Sequence, residues 1–94
     1  MEQSKSEYGL SEAEVSIIVK NNIIKILKTK EKIEDTDHLA EYGFDSIGMI
    51  ELIIDLEEKF HILFDDEELL PENFQTINQI TRLCMEKLES FTQK

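Results

Sequence analysis

The 94-residue sequence holds few side chains that could do chemistry: a serine behind an aspartate (Asp45-Ser46), two histidines, one cysteine and many carboxylates. His38 and His61 stand 23 residues apart and fall in no His-x-x-x-His or Cys/His spacing, so no zinc site is expected and both read as surface residues. Asp35-Thr36-Asp37 opens like a calcium loop, but Leu39 and Ala40 then stand where that loop needs an oxygen ligand and a glycine. Cys84 lies on an apolar helical face, where a thiol is usually an inert packing residue. The pairs Asp65-Asp66 and Glu67-Glu68 would need a desolvating cavity to act as acid and base, and a small helical chain offers little. Gly9, Gly43 and Gly48 are scattered and form no phosphate loop. An intrinsic enzyme is not expected.

One constellation remains. Gly43-Phe44-Asp45-Ser46-Ile47 puts a serine in the first turn of a helix, directly after a long loop. Asp and Ser are both favoured at helix starts for capping alone, so the residues by themselves allow a purely structural role.

The elements that place this serine can be read from spacing. Ser11-Glu12-Ala13-Glu14 is a capping box, with Leu10 and Val15 as its hydrophobic staple. Val15, Ile18, Val19, Ile23, Ile26 and Leu27 then make one apolar helical face. Residues 29–44 lack periodicity and read as a long ordered loop anchored by Ile33, Leu39, Tyr42 and Phe44, with Gly43 turning the chain. The second helix is expected from Asp45, its N-cap, to about Phe60. On it Gly48, Glu51, Asp55, Glu58 and Lys59 form a polar sector, and the remaining apolar arc is wide enough for part of it to be exposed beside Ser46. A short third helix is expected from Asp65 to Leu70, ended by Pro71. The last helix begins near Thr76, with Gln79 completing its cap and Ile77, Ile80, Leu83, Cys84, Leu88 and Phe91 on its buried side. No segment alternates like a strand. The fold class is all-α: a four-helix bundle of three long helices and one short one. Residues 1–9 read as a mobile tail, 10–91 as one domain and 92–94 as a C-terminal tail.

Charge sharpens the picture. The net charge is −11, yet residues 31–72 alone hold 15 acidic and 2 basic side chains, a net of −13. Such a balance disfavours nucleic acid, whose phosphates need Lys and Arg in excess. It fits either a solvated acidic surface or a docking surface for basic proteins. Glu51, Asp55 and Glu58 form a carboxylate stripe along the second helix, with no matching basic ladder. No apolar run approaches a membrane span, the first residues are too polar for a signal peptide, and a lone cysteine makes no internal disulfide. A cytoplasmic monomer is expected.

The stretch Gly43-Phe44-Asp45-Ser46-Ile47, followed by Glu51-Leu52 and Leu56-Glu57, resembles the acyl carrier proteins, whose signature is Asp-Ser-Leu at the start of the second helix. The likeness spans about residues 10–90, including the long first loop, the acidic short helix and Phe74-Gln75-Thr76-Ile77. It implies that Ser46 carries 4′-phosphopantetheine, transferred from coenzyme A by a phosphopantetheinyl transferase, and that acyl groups ride on the arm as thioesters. It further implies partners with basic docking surfaces: acyl-loading, ketosynthase-type or acyl-modifying enzymes. They would meet Asp45, Ile47, Met49, Ile50, Glu51, Asp55 and Glu58. Ile47 replaces the commoner Leu, and Gly48 stands where fatty-acid carriers often have an acidic residue. The motif looks more like carriers of polyketide or related specialised pathways. The rival reading from another class is an unmodified acidic helical adaptor for basic proteins.

Overall fold

In the structure, a computed structural model that describes residues 10–92, the chain forms three α-helices. These are α1 (Glu12–Leu27), α2 (Ser46–Phe60) and α3 (Ile77–Thr92), and no strand occurs among the described residues. Helix α1 packs against both α2 and α3. The expected tail at 1–9 lies outside the described residues, and the structure describes Phe91 by its backbone alone, so its assignment to the buried face of the last helix falls outside that description. Thr92, placed in the C-terminal tail by the sequence, is the last residue of α3.

Each helix starts where its capping residues dictate. Ser11 Oγ accepts the Glu14 amide at 3.2 Å, and the Glu14 carboxylate accepts the Ser11 amide at 2.9 Å, closing the expected box. At α3, Thr76 Oγ1 accepts the Gln79 amide at 3.1 Å, while Gln79 Oε1 accepts the amides of Gln75 and Thr76. Two helices end on left-handed residues other than glycine: Lys28 (φ 55°) after α1 and His61 (φ 56°) after α2. Each returns its amide to a carbonyl four residues back, which offsets the strain of that conformation.

The interior is one aliphatic and aromatic cluster. Val15, Val19 and Ile23 of α1, Leu52 and Leu56 of α2, and Ile77, Ile80 and Cys84 of α3 meet at its centre without solvent exposure. Burial of such side chains stabilises a fold by about 1.5–3 kcal/mol each.

The long first loop is ordered, as its anchors suggest. Ile33 and Leu39 are buried, and Leu39–Tyr42 makes a 3₁₀ turn ended by Gly43 at φ +96°. The Leu39 amide donates to the Gln75 carbonyl at 2.8 Å, and the Asn78 amide to the Asp35 carbonyl at 3.1 Å. These bonds fasten the first loop to the start of α3.

The second connection differs from expectation in form. Instead of one short α-helix over Asp65–Leu70, it holds two 3₁₀ turns, Asp66–Glu68 and Pro71–Asn73, so the described residues contain three α-helices and no fourth. Leu70, preceding Pro71, is held extended (φ −108°, ψ 140°), and too few residues remain before it to propagate an α-helix. The segment is pinned at several points. Glu57 accepts the Phe64 amide at 3.1 Å, Asn73 donates to the Glu68 carbonyl at 3.0 Å, and Lys87 of α3 bridges Glu68 at 3.1 Å and Asp65 at 3.5 Å.

Candidate functional site

Ser46 is the first residue of α2 and is exposed. Three local features put it there. Gly43 turns the chain in a conformation that a side chain would strain. Phe44 plunges into the core at 9% exposure, fixing the chain just before the helix. Asp45 then caps: its Oδ1 accepts the Gly48 amide at 3.0 Å, and its carbonyl accepts the Met49 amide at 2.9 Å. The amides of Ser46 and Ile47 have no acceptor within the helix, as geometry requires of a first turn, and a helix start of this kind favours a nearby anion.

A pocket of about 230 Å³ opens beside the serine. Phe44, Met49, Pro71 and Phe74 supply its apolar surface, and His38, Asp45, Ser46 and Gln75 supply polar groups. Its walls come from three segments: the first loop, the start of α2 and the second loop. A hydroxyl free at a helix N-terminus, next to a pocket with an apolar wall, fits a phosphodiester carrying a part-apolar arm. The fit lies in the chain's own groups.

The expected partner residues sort by burial. Ile47 (68% exposed), Ile50 (57%) and Glu51 face solvent, Asp55 is half-buried and Glu58 is exposed. Ile54, at 51% exposure, joins them although the sequence did not single it out. At about 100° per residue, Ile47, Ile50, Glu51, Ile54, Asp55 and Glu58 occupy one sector of roughly 140°. Isoleucines and carboxylates therefore interleave on one face that begins beside Ser46. Met49 does not belong to that face: it turns inward to 9% exposure and lines the pocket.

Gly48 also departs from expectation. Grouped by angle with the polar sector, it is in fact buried, and a Cβ there would meet Phe44 at 3.2 Å and Ile26 at 3.3 Å. The glycine marks where α1 and the Phe44 ring approach the α2 backbone. Any side chain at this position would have to shift Phe44 and Ile26 by a few tenths of an ångström.

His38 and Phe74 had no sequence signal as site residues. They reach the pocket only because the two loops are tied together by the Leu39–Gln75 hydrogen bond. Cys84 is fully buried, and burial pushes its thiol up to about 12, so it stays protonated at neutral pH. Tyr42 donates to Asp37 Oδ2 at 2.7 Å, and this bond is the main reason its hydroxyl is pushed up to about 12. The same carboxylate accepts the Glu34 amide at 2.9 Å; that bond, then the Tyr42 hydroxyl, hold Asp37 below its ordinary range. The pair braces the loop that delivers Gly43. Among the described residues no group of three or more His, Cys, Asp or Glu side chains is placed to hold a metal ion, and no helix is long and apolar enough to cross a membrane.

Comparison with known proteins agrees with this geometry. The family model described as "Phosphopantetheine attachment site" matches residues 18–84, which include Ser46 and all of α2. Aminoacyl carrier protein 2 of Bradyrhizobium diazoefficiens is 24% identical over 82 residues, covering 80% of this chain and 92% of that protein. Aminoacyl carrier protein 1 of the same organism is 28% identical, covering 79% of this chain and 90% of the relative. An acyl carrier protein homolog of Mycoplasmopsis pulmonis is 41% identical over 59 residues, covering 63% of this chain and 78% of the relative. No solved structure matches the chain significantly. The family match spans well over half the chain and coincides with the capped, exposed serine and its pocket: the chain belongs to the acyl carrier protein family, non-enzymatic carriers whose cofactor is 4′-phosphopantetheine.

Proposed function

We propose that Ser46 is the attachment residue and that the protein, with residues 10–91 as its carrier domain, shuttles acyl intermediates as thioesters between cytoplasmic biosynthetic enzymes. The observation that carries this reading is the exposed Ser46 hydroxyl at the start of α2, capped by Asp45 and set beside the 230 Å³ pocket. The arm, when joined, supplies a terminal thiol for thioester chemistry. The chain itself does the holding: the free first-turn amides and helix dipole favour the phosphodiester's negative charge, and the Phe44–Met49–Phe74 wall offers apolar contact. No base or metal is needed within the chain, because a phosphopantetheinyl transferase brings its own.

The exposed face of α2 is the partner surface in this reading. Glu51, Asp55 and Glu58 meet Arg and Lys of loading, ketosynthase-type or acyl-modifying enzymes, while Ile47 and Ile50 contribute apolar contact. Exposed ion pairs contribute only about 0–1 kcal/mol each, which speeds encounter and permits release. Asp45 serves as cap and transferase contact. A monomer suits such a shuttle. The Gly-Phe-Asp-Ser-Ile motif favours a polyketide or related specialised pathway over primary fatty acid synthesis. A second reading, an aminoacyl cargo, is favoured by one observation: the two relatives covered at 90% and 92% of their length are aminoacyl carriers. The family match favours either carrier reading over the unmodified adaptor.

The test is the intact mass after incubation with coenzyme A and a broad-specificity transferase. A gain of one phosphopantetheine that vanishes in Ser46→Ala is expected; a gain retained in that variant would move the site elsewhere. The mass of protein isolated from its own host then separates polyketide, fatty acyl and aminoacyl cargo.

A further inference from the structure

We infer that the groove between α1 and α3, whose walls contain no residue of α2, is a second docking point and takes an arginine side chain of a partner protein. The inference goes beyond the carrier reading, since it needs neither Ser46 nor the arm. The groove encloses about 500 Å³ and shares no lining residue with the pocket beside the serine. Glu12 and Lys20, about two turns apart on α1, line it together with Ile17. Asn78 and Thr81, three residues apart on α3, supply the other wall. Asp35 of the first loop joins them, held there because the Asn78 amide donates to its carbonyl at 3.1 Å.

Two unsatisfied groups in this groove ask for a ligand. Thr81 is 2% exposed, and its Oγ1 has no hydrogen-bond partner. A threonine inside a helix often returns its hydroxyl to a carbonyl one turn back, and this one does not. A buried hydroxyl left unpaired costs stability unless an incoming group completes it. Asp35 Oδ1 is also buried and without a hydrogen bond, although Lys20 Nζ lies 3.1 Å away as its ion-pair partner. Lys20 does not serve Thr81, whose hydroxyl stays unpaired with that ammonium in place. Charge selects the sign of the ligand. The groove holds two carboxylates, Glu12 and Asp35, and one ammonium, a net of −1, in a chain whose net charge is −11. A cation is favoured. Acceptors on three separate elements suit the several donors of a guanidinium fork better than a lysine, and a guanidinium sheds water more readily at a buried hydroxyl. Ile17 lines the groove yet is 59% exposed, and it offers apolar contact that a protein surface around the arginine can use and a free small cation cannot.

The experiment titrates the isotope-labelled full chain at low salt with the peptide acetyl-Leu-Arg-Leu-amide, with the same peptide carrying lysine or uncharged citrulline, and with butylguanidinium. Amide resonances report where each one binds. The arginine peptide should shift Ile17, Asn78 and Thr81 saturably and bind at least about threefold more tightly than the lysine peptide or butylguanidinium. The citrulline peptide should leave those resonances in place. Glu12→Gln should weaken the arginine peptide about threefold, the order of one exposed ion pair. Thr81→Val, which keeps the side-chain shape and removes the hydroxyl, should weaken it by a similar factor while the melting temperature holds or rises. Ile17→Ser should weaken the peptide and spare butylguanidinium. Shifts confined to Glu51, Asp55 and Glu58 would overturn the site in favour of general attraction to α2. Citrulline or butylguanidinium binding as tightly as the arginine peptide would overturn it too, as would a Thr81→Val variant that binds unchanged. Loading of Ser46 with phosphopantetheine is read separately, so the carrier reading and this one can fail independently.

Discussion

Asp45 Oδ1 accepts the Gly48 amide at 3.0 Å, and this one bond sets the helix start that exposes the neighbouring Ser46. Removing it should loosen the first turn. Asp45→Ala is expected to destabilise the protein by about 1 kcal/mol, the usual cost of a lost N-cap, and Asp45→Asn by much less. Chemical denaturation of both variants checks the ranking, and equal stability of Ala and the native residue would deny the cap its role.

Gly48 should resist substitution although angular position alone groups it with exposed residues. Its Cβ would press on Phe44 and Ile26 at 3.2 and 3.3 Å, so both side chains would have to give by a few tenths of an ångström. Gly48→Glu is expected to cost at least about 1–3 kcal/mol through overpacking, outweighing the roughly 1 kcal/mol that glycine loses in helix propensity. A melting temperature unchanged from the native protein would contradict the close approach of α1 and α2.

Cys84 should be silent to thiol reagents in the folded state. It is fully buried with its thiol pushed up to about 12 by desolvation, so little thiolate exists at neutral pH. Titration of the apo form with a disulfide reagent should show no fast-reacting thiol until denaturant is added. The holo form should show one, on the arm, and none in Ser46→Ala. Fast labelling of Cys84 in folded apo protein would mean that the bundle opens.

The Tyr42–Asp37 bond predicts a dependence on acid. The Glu34 amide and then the Tyr42 hydroxyl hold the Asp37 carboxylate below its ordinary value of 3.8. A carboxylate depressed on folding adds stability above its unfolded pKa and loses it as pH falls through the folded one. The stability difference between native protein and Asp37→Asn should therefore be constant from pH 5 to 7 and shrink below about pH 4. Tyr42 works in the opposite direction: with its pKa raised from 10.0 to about 12, its contribution is complete below pH 10 and disappears as pH rises through 12. Thermal melts across these pH values test both arms; a difference that stayed flat to pH 2 would remove Asp37 from the account.

Much of this molecule is local in origin and was legible in one dimension. The caps at Ser11, Asp45 and Thr76 are short-range hydrogen bonds between residues three apart, so spacing alone locates the starts of all three helices. The Asp45-Ser46 pair and the carboxylates of α2 follow from the same register, as did the family. Tertiary contact decided the rest. Whether Gly48 or Met49 faces water depends on how closely α1 and Phe44 approach α2, which no periodicity encodes. Asp65–Leu70 has the composition of a helix, yet Pro71 and the bonds from Glu57, Asn73 and Lys87 shape it into 3₁₀ turns. The pocket beside Ser46 joins His38, Met49 and Phe74, residues far apart in the chain, and exists because backbone bonds tie the two loops together. Sequence determined that a serine stands capped at a helix start within an acidic stretch. Packing across the loops decided what lies next to it, because such contacts depend on the whole bundle closing and on no single segment.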